Sequence, residues 1–261
     1  MGDSSQLGPN GSTTAPTVEQ LIAELGVVPT PKIDGYWTVD KATAVALPPS
    51  TNPAPSATSP LPYFHLLELL KTTKREGWRR FGIAYGESIA DHMYRMALIS
   101  MLAPPALAAR LDMNRCIKMC LVHDMAESLV GDITPVDGVP KPEKSRREAT
   151  TMDYITETLL GSVEGGADGA VGKELRGIWQ EYEDSLTPES HFVHDVDKME
   201  LLLQMVEYEK RGQGHINLGE FAYVATKMVL PETRTWAAEL LQEREAFWRS
   251  QGKAPLGQPT M

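Results

Sequence analysis

Between Leu121 and Val139 the chain reads LVHDMAESLVGDITPVDGV, and His123, Asp124, Glu127 and Asp132 lie close together within it. Each can bind a metal ion or move a proton. The apolar residues Ile117, Met119, Leu121 and Val122 lead into them, which predicts a helix from Asn114 to Leu129 that ends near Gly131. Neighbours on a helix are about 100° apart, so the side chains of His123 and Asp124 can converge on one ion beside the axis. Glu127 follows His123 by four residues and projects from the same face. Asp132 comes after Gly131, where the chain can turn back over the site.

Blander explanations compete with this one. Adjacent His-Asp pairs arise by chance, and the chain holds a second, His194-Asp195, which sits among Glu189, His191 and Lys198 and reads as a solvated face. Cys116, Cys120, His123 and Glu127 share a helical stripe, so two thiolates and an imidazole could hold zinc. No further Cys or His pair completes such a set, and buried cysteines commonly serve as small apolar side chains.

His123 and Asp124 need partners from other helices. His92, in ESIADHMYRMA, lies beside the apolar stripe of its helix, where a histidine is either a satisfied core residue or a ligand. Asp197 is more telling. Val193, Asp197, Leu201, Met205 and Tyr208 form one stripe, with a carboxylate where an apolar residue is expected. An unpaired buried carboxylate costs several kcal/mol or more, so this one requires a partner. A cation shared with His92, His123 and Asp124 would be that partner.

These residues are positioned by helices. Apolar spacing predicts helices over 63–74, with Phe64, Leu67 and Leu70 inward, and over 88–102, with Ile89, Met93, Met96, Ala97 and Ser100 on one stripe and Pro104-Pro105 as the stop. Others follow over 142–160 and 171–184. Thr187-Pro188 supplies a cap and a first-turn proline for a long helix to about Lys210. Two shorter helices, 218–226 and 231–250, close the domain. No alternating run suggests a strand, and the reading is all-α.

Residues 1–60 differ. Pro9, Pro16, Pro29, Pro31, Pro48, Pro49, Pro53, Pro55 and Pro60 fall among many Ser, Thr and Ala residues, which predicts a flexible, partly disordered extension. Two features stand out in it: a short helix over 18–25 capped by Thr17, and an aromatic pair, Tyr36-Trp37, suited to packing on the domain. The expected organisation is therefore an extension over 1–60, the chemistry-bearing domain over 61–250 and a flexible tail over 251–261.

The pattern H…HD…D resembles that of the HD-domain phosphohydrolases, in particular their 5'-deoxynucleotidase branch. The segments GWRRFGI, ESIADHMYRMA, RCIKMCLVHDMAESLVGDITPVDGV, EKSRREATTM, IWQEYED and FVHDVDKMELLLQMVEYEK carry the likeness from about Leu61 to Arg211. The resemblance implies an HD-domain helical bundle. It implies His92, His123, Asp124 and Asp197 as metal ligands, Glu127 and Asp132 as catalytic acids, Trp78 as a wall of the sugar pocket, and a homodimer. One departure is visible: bacterial members carry arginine directly before that tryptophan, where this chain has Gly77. Arg75 or Arg80 then becomes the candidate phosphate contact. Discrimination against a 2'-hydroxyl is likewise implied by the resemblance alone.

The bulk numbers set limits. A net charge of −10 repels a long phosphate backbone on average, so a nucleic-acid polymer is not the expected partner. No run of eighteen apolar residues is present, and MGDSSQ has Gln6 where a myristoylation signal wants Ser or Thr. Two cysteines point to a reducing compartment, cytoplasmic or nuclear. The expected reaction is hydrolysis of a deoxyribonucleoside 5'-monophosphate. Its cofactor would be a divalent cation, with Mn²⁺, Co²⁺, Fe²⁺ or Zn²⁺ suiting a mixed nitrogen and oxygen shell better than Mg²⁺. Triphosphate or cyclic-nucleotide hydrolysis, a turnover-deficient nucleotide sensor and a metal-free helical interaction module are the alternatives.

Overall fold

The computed structural model describes residues 33–47, 58–163, 169–257 and 259, and the helix expected over 18–25 lies outside them. Among the described residues there is no strand, only an isolated antiparallel bridge between Lys74 and Ser88. The elements, in order, are α1 Val39–Ala46, α2 Leu61–Thr72, α3 Glu76–Arg79, α4 Ile89–Ser100, α5 Pro105–Ala108, α6 Met113–Val122, α7 Glu127–Val130, α8 Lys141–Asp153, α9 Ala170–Asp184, α10 Pro188–Arg211 and α11 Pro231–Ser250. A π-helical turn, Tyr154–Leu159, continues α8, and a 3₁₀ segment, Gly219–Lys227, precedes α11. Among the described residues no helix is long and apolar enough to cross a membrane.

The helices that carry the chemistry pack on one another: α4 lies against α6, and α10 lies against both. The stripe expected on α4 is the one buried, with Ile89, Met93, Met96, Ala97 and Ser100 all inside. Ser88 starts this helix with a capping box to Asp91, satisfying amides that the first turn leaves free. Thr187 does the same for α10, with Ser190 as its reciprocal partner and Pro188 in the first turn. On α2 the inward residues are Leu66, Leu69 and Leu70, whereas Phe64 is exposed. That helix begins two residues earlier than expected, and of the three residues predicted inward only Leu70 is fully buried, Leu67 being half-buried.

Two further expectations are corrected. The helix through the His-Asp pair is not continuous: α6 stops at Val122, a run of tight turns covers 123–126, and α7 resumes at Glu127. The i→i+3 bonds from Met125 to Val122 and from Glu127 to Asp124 mark that tightening. Gly131, at φ 78°, then ends α7 in a conformation that costs a side-chain residue energy. The helix expected over 142–160 divides into α8 and its π turn. Where that turn meets α9, Gly172 lets the backbones touch, since a Cβ there would lie 2.2 Å from the Thr156 carbonyl oxygen.

The edges of the domain also differ. Tyr36-Trp37 does pack on the body: Trp37 is buried, its carbonyl accepts from Arg146, and α1 follows with Ala42 and Thr43 inside. The packed chain thus reaches upstream of Leu61. Past Ser250, where a free tail was expected, the Leu256 carbonyl accepts from Arg244 and Lys253 donates to the Gly214 carbonyl.

Arg244 anchors this end of the molecule. Its guanidinium pairs with Glu209, both side chains being fully buried, and Glu209 also accepts from the Trp248 indole and the Leu218 amide. Removing one partner of such a pair leaves an uncompensated buried charge. Arg244→Ala is expected to lower unfolding free energy by about 3–5 kcal/mol in denaturant titration.

Candidate metal centre and active site

Four ligand candidates from three helices meet where α4, α6 and α10 cross. His92 projects from the first turn of α4, and His123 caps α6, its Nδ1 facing the Cys120 carbonyl at 3.0 Å. One ligand atom each from His92, His123 and Asp124 falls within 4.8 Å of the others. Asp124 Oδ2 is 3.2 Å from His123 Nε2 and 3.9 Å from His92 Nε2. Asp197 adjoins this trio through His92, its Oδ1 lying 3.2 Å from Nε2. Tyr182 donates its hydroxyl to the other oxygen of Asp197 at 3.1 Å.

The donor set fits a divalent cation. His92 Nε2 and His123 Nε2 are both buried and neither makes a hydrogen bond. An unsatisfied buried polar atom is costly, and two that share the Asp124 carboxylate, with Asp197 beside one of them, call for a shared electrophile. The electrostatics agree. Burial works against ionising Asp124 and Asp197, yet the imidazoles and Arg75 outweigh it and hold both carboxyls well below their usual range. Burial and Arg75 oppose protonation of His92, but Glu200 and Asp197 outweigh them and push it up to about 10. The field that would keep a proton on that nitrogen would favour a metal cation in its place.

Glu200, one turn after Asp197 on α10, was missed in the sequence. It is fully buried, faces His92 Nδ1 at 2.5 Å and accepts from Arg95 Nε at 2.7 Å. That contact fixes the imidazole and leaves Nε2 for the cation, a common arrangement around metal-ligating histidines. The i, i+3 spacing from Asp197 was the available signal.

A cavity of about 400 Å³ opens beside the trio. Glu127 lines it, 2 % exposed, with Oε2 unpartnered and Oε1 3.8 Å from Lys144 Nζ. Burial raises its pKa well above the ordinary value, with Asp124 and Asp132 adding to the effect and Lys144 and Arg75 opposing it. Asp132 also lines the cavity and accepts the Glu76 amide at 2.6 Å, tying the loop after α7 to α3. Trp78 forms another wall, packed on Phe221 and Tyr208.

The two arginines differ. Arg75 reaches the centre, Nη1 lying 3.2 Å from Asp124 Oδ2, while Arg80 stands at the mouth, paired with Glu220. At Gly77 a Cβ would make only ordinary contact with Phe221, so packing does not explain the missing arginine.

The rejected candidates resolve clearly. Cys116 and Cys120 are buried free thiols, and burial pushes both up to about 12, so neither offers a thiolate. The second His-Asp pair is not a solvated face. Asp195 is fully buried and accepts from the amides of Val229 and Leu230 and the Thr233 hydroxyl, which fixes the start of α11. His194 stacks on Tyr182 and faces its carbonyl at 3.0 Å.

A helical bundle with His and Asp donors on two helices and a His-Asp pair in the turn that ends a third defines a metal-site class, and comparison with known proteins places it. Residues 67–235 match the HD domain family model, and the chain belongs to that family. The 5'-deoxynucleotidase hdd1 of Schizosaccharomyces pombe is 42% identical over 201 residues, covering 76% of this chain and 96% of its own. The human 5'-deoxynucleotidase HDDC2 is 39% identical over 189 residues, 72% of this chain and 87% of its own. Among solved structures, the HD domain-containing protein YGK1 superposes with a TM-score of 0.56 at 32% identity, covering 72% of this chain and 87% of that one.

Proposed function

We propose that the chain is a metal-dependent 5'-deoxynucleotidase that hydrolyses deoxyribonucleoside 5'-monophosphates to a deoxynucleoside and inorganic phosphate. The observation that carries this reading is the pair of unpartnered imidazole Nε2 atoms facing Asp124 and Asp197 at the end of the cavity. The names borne by relatives about 40% identical over most of their length support the substrate class.

His92, His123, Asp124 and Asp197 would hold the cation. When bound, it supplies Lewis acidity, lowering the pKa of water toward about 7 and offsetting charge on phosphate. Arg75, already at the centre, is the better placed arginine to accept the phosphate dianion; Arg80 at the mouth would meet more distal parts of the substrate. Glu127, excluded from bulk water, would orient the attacking water and take its proton. Asp132, braced by the Glu76 amide, would serve the leaving oxygen or keep the loop in register. Trp78 would face the sugar.

The nitrogen and oxygen donors suit Mn²⁺, Co²⁺, Fe²⁺ or Zn²⁺ over Mg²⁺. A homodimer is supported by an exposed apolar stripe on and just after α4, namely Tyr94, Leu98, Met101 and Leu102, and light scattering at twice the chain mass would check it. Two free cysteines favour a reducing compartment, cytoplasmic or nuclear, which fluorescence microscopy of the tagged chain would test.

The test is phosphate release from a panel of ribo- and deoxyribonucleoside monophosphates, triphosphates and cyclic nucleotides, with each metal supplied in turn. Turnover of 5'-deoxynucleoside monophosphates ahead of all other classes is expected. Preference for triphosphates or cyclic nucleotides would overturn the substrate assignment.

A further inference from the structure

We infer that Glu87 is a positioning residue for the sugar wall of the pocket, fixing the Trp78 ring by accepting its indole proton. This rests on the nucleotidase reading for its kinetic consequence, though the clamp itself can be measured without substrate.

Trp78 sits on α3, a helix of only four residues, which cannot by itself hold so large a side chain. Its ring is 2 % exposed and touches Tyr208 edge-on at 5.3 Å and Phe221 at 4.8 Å. Ring contacts of this kind tolerate sliding and tilting. The directional contact is the hydrogen bond from Nε1 to Glu87 Oε1 at 2.8 Å.

Glu87 is itself held from several sides. Its amide donates to the Tyr208 hydroxyl at 2.8 Å, and its carbonyl accepts the Arg75 amide at 3.1 Å. The next residue, Ser88, bridges to Lys74 and caps α4, whose first full turn ends at His92 with a bond from the His92 amide to the Ser88 carbonyl at 3.1 Å. One short backbone segment therefore references the sugar wall, the arginine at the centre and the first metal-ligand candidate to each other. A shift of about 1 Å in such a wall can change rates a hundredfold, so the reference has value. Ligand atoms of Glu87, His92 and Glu200 also lie within 4.8 Å of one another, but no second cation site follows, because Glu200 is already engaged by His92 Nδ1 and Arg95.

The experiment compares wild type, Glu87→Met, Glu87→Gln and Trp78→Phe in steady-state kinetics and intrinsic fluorescence. Glu87→Met should raise KM for a deoxyribonucleoside monophosphate about tenfold, the worth of one hydrogen bond, with kcat within about threefold. Glu87→Gln keeps an acceptor oxygen and should stay within about threefold of wild type in both parameters. Trp78→Phe keeps a ring but has no proton to donate, and should match Glu87→Met. The emission change caused by Glu87→Met should vanish when it is made in the Trp78→Phe background.

Wild-type KM and emission in Glu87→Met would overturn the inference, as would a Gln variant as impaired as Met. If Glu87→Met fails to fold, Trp78→Phe decides: a wild-type KM there contradicts the clamp. Should wild type hydrolyse no deoxynucleotide at all, the nucleotidase reading falls while the fluorescence comparison still decides the clamp.

Discussion

Asp124→Ala is expected to lose both bound divalent metal and turnover, the latter by roughly 10³-fold or more. One oxygen explains the size of the effect. Asp124 Oδ2 lies 3.2 Å from His123 Nε2, 3.9 Å from His92 Nε2 and 3.2 Å from Arg75 Nη1, so the two imidazoles and the guanidinium all converge on it. Its side chain is 18 % exposed, which leaves solvent little room to replace it. Without the carboxylate, Arg75 loses its partner and repels a cation at the same place. Elemental analysis of the purified variant, with phosphate release measured in parallel, checks both halves. Full metal content with full turnover would remove Asp124 from the centre.

Glu127→Gln should behave differently, retaining the metal while turnover falls by about 10²–10⁴-fold, the usual contribution of a positioned acid or base. Glu127 lies outside the imidazole–carboxylate trio, yet it lines the same cavity with a buried, unpartnered oxygen. Burial and two neighbouring acids raise its pKa, so its carboxyl binds a proton more readily than an exposed glutamate would. Lys144 and Arg75 oppose that shift and help it stay ionised to accept one. The amide of glutamine keeps the shape and the contact with Lys144 but cannot exchange a proton. Metal content by elemental analysis, circular dichroism and kcat together isolate the chemical step. Wild-type kcat in this variant would assign the proton to another group, with Asp132 first in line.

Much of this was legible in the residues. The α4 stripe followed from periodicity alone, and burial of His92 from its place beside that stripe. Asp197 was conspicuous because a carboxylate interrupted an apolar row on α10. Thr187-Pro188 marked the start of that helix because capping is local chemistry, settled within four residues.

What escaped was set by tertiary contacts. The break after Val122 is invisible to a helical pattern, since Met125, Ala126 and Leu129 continue the apolar spacing while the backbone tightens into i→i+3 bonds. Asp195 read as solvated because its neighbours are polar, yet the amides of Val229 and Leu230, more than thirty residues away, satisfy it inside the protein. Glu200 is similar: its partners His92 and Arg95 come from α4, and apart from its i, i+3 spacing from Asp197 nothing local distinguishes it from a surface glutamate. Buried polar groups are legible only when the partner is near in sequence or when, as with Asp197, the surrounding row makes the exception plain.

The decisive measurement is an anomalous difference map from crystals grown with Mn²⁺. One strong peak is expected within coordination distance of His92 Nε2, His123 Nε2, Asp124 and Asp197. A map with no peak there, or with its peak only between Glu87 and Glu200, would contradict the account.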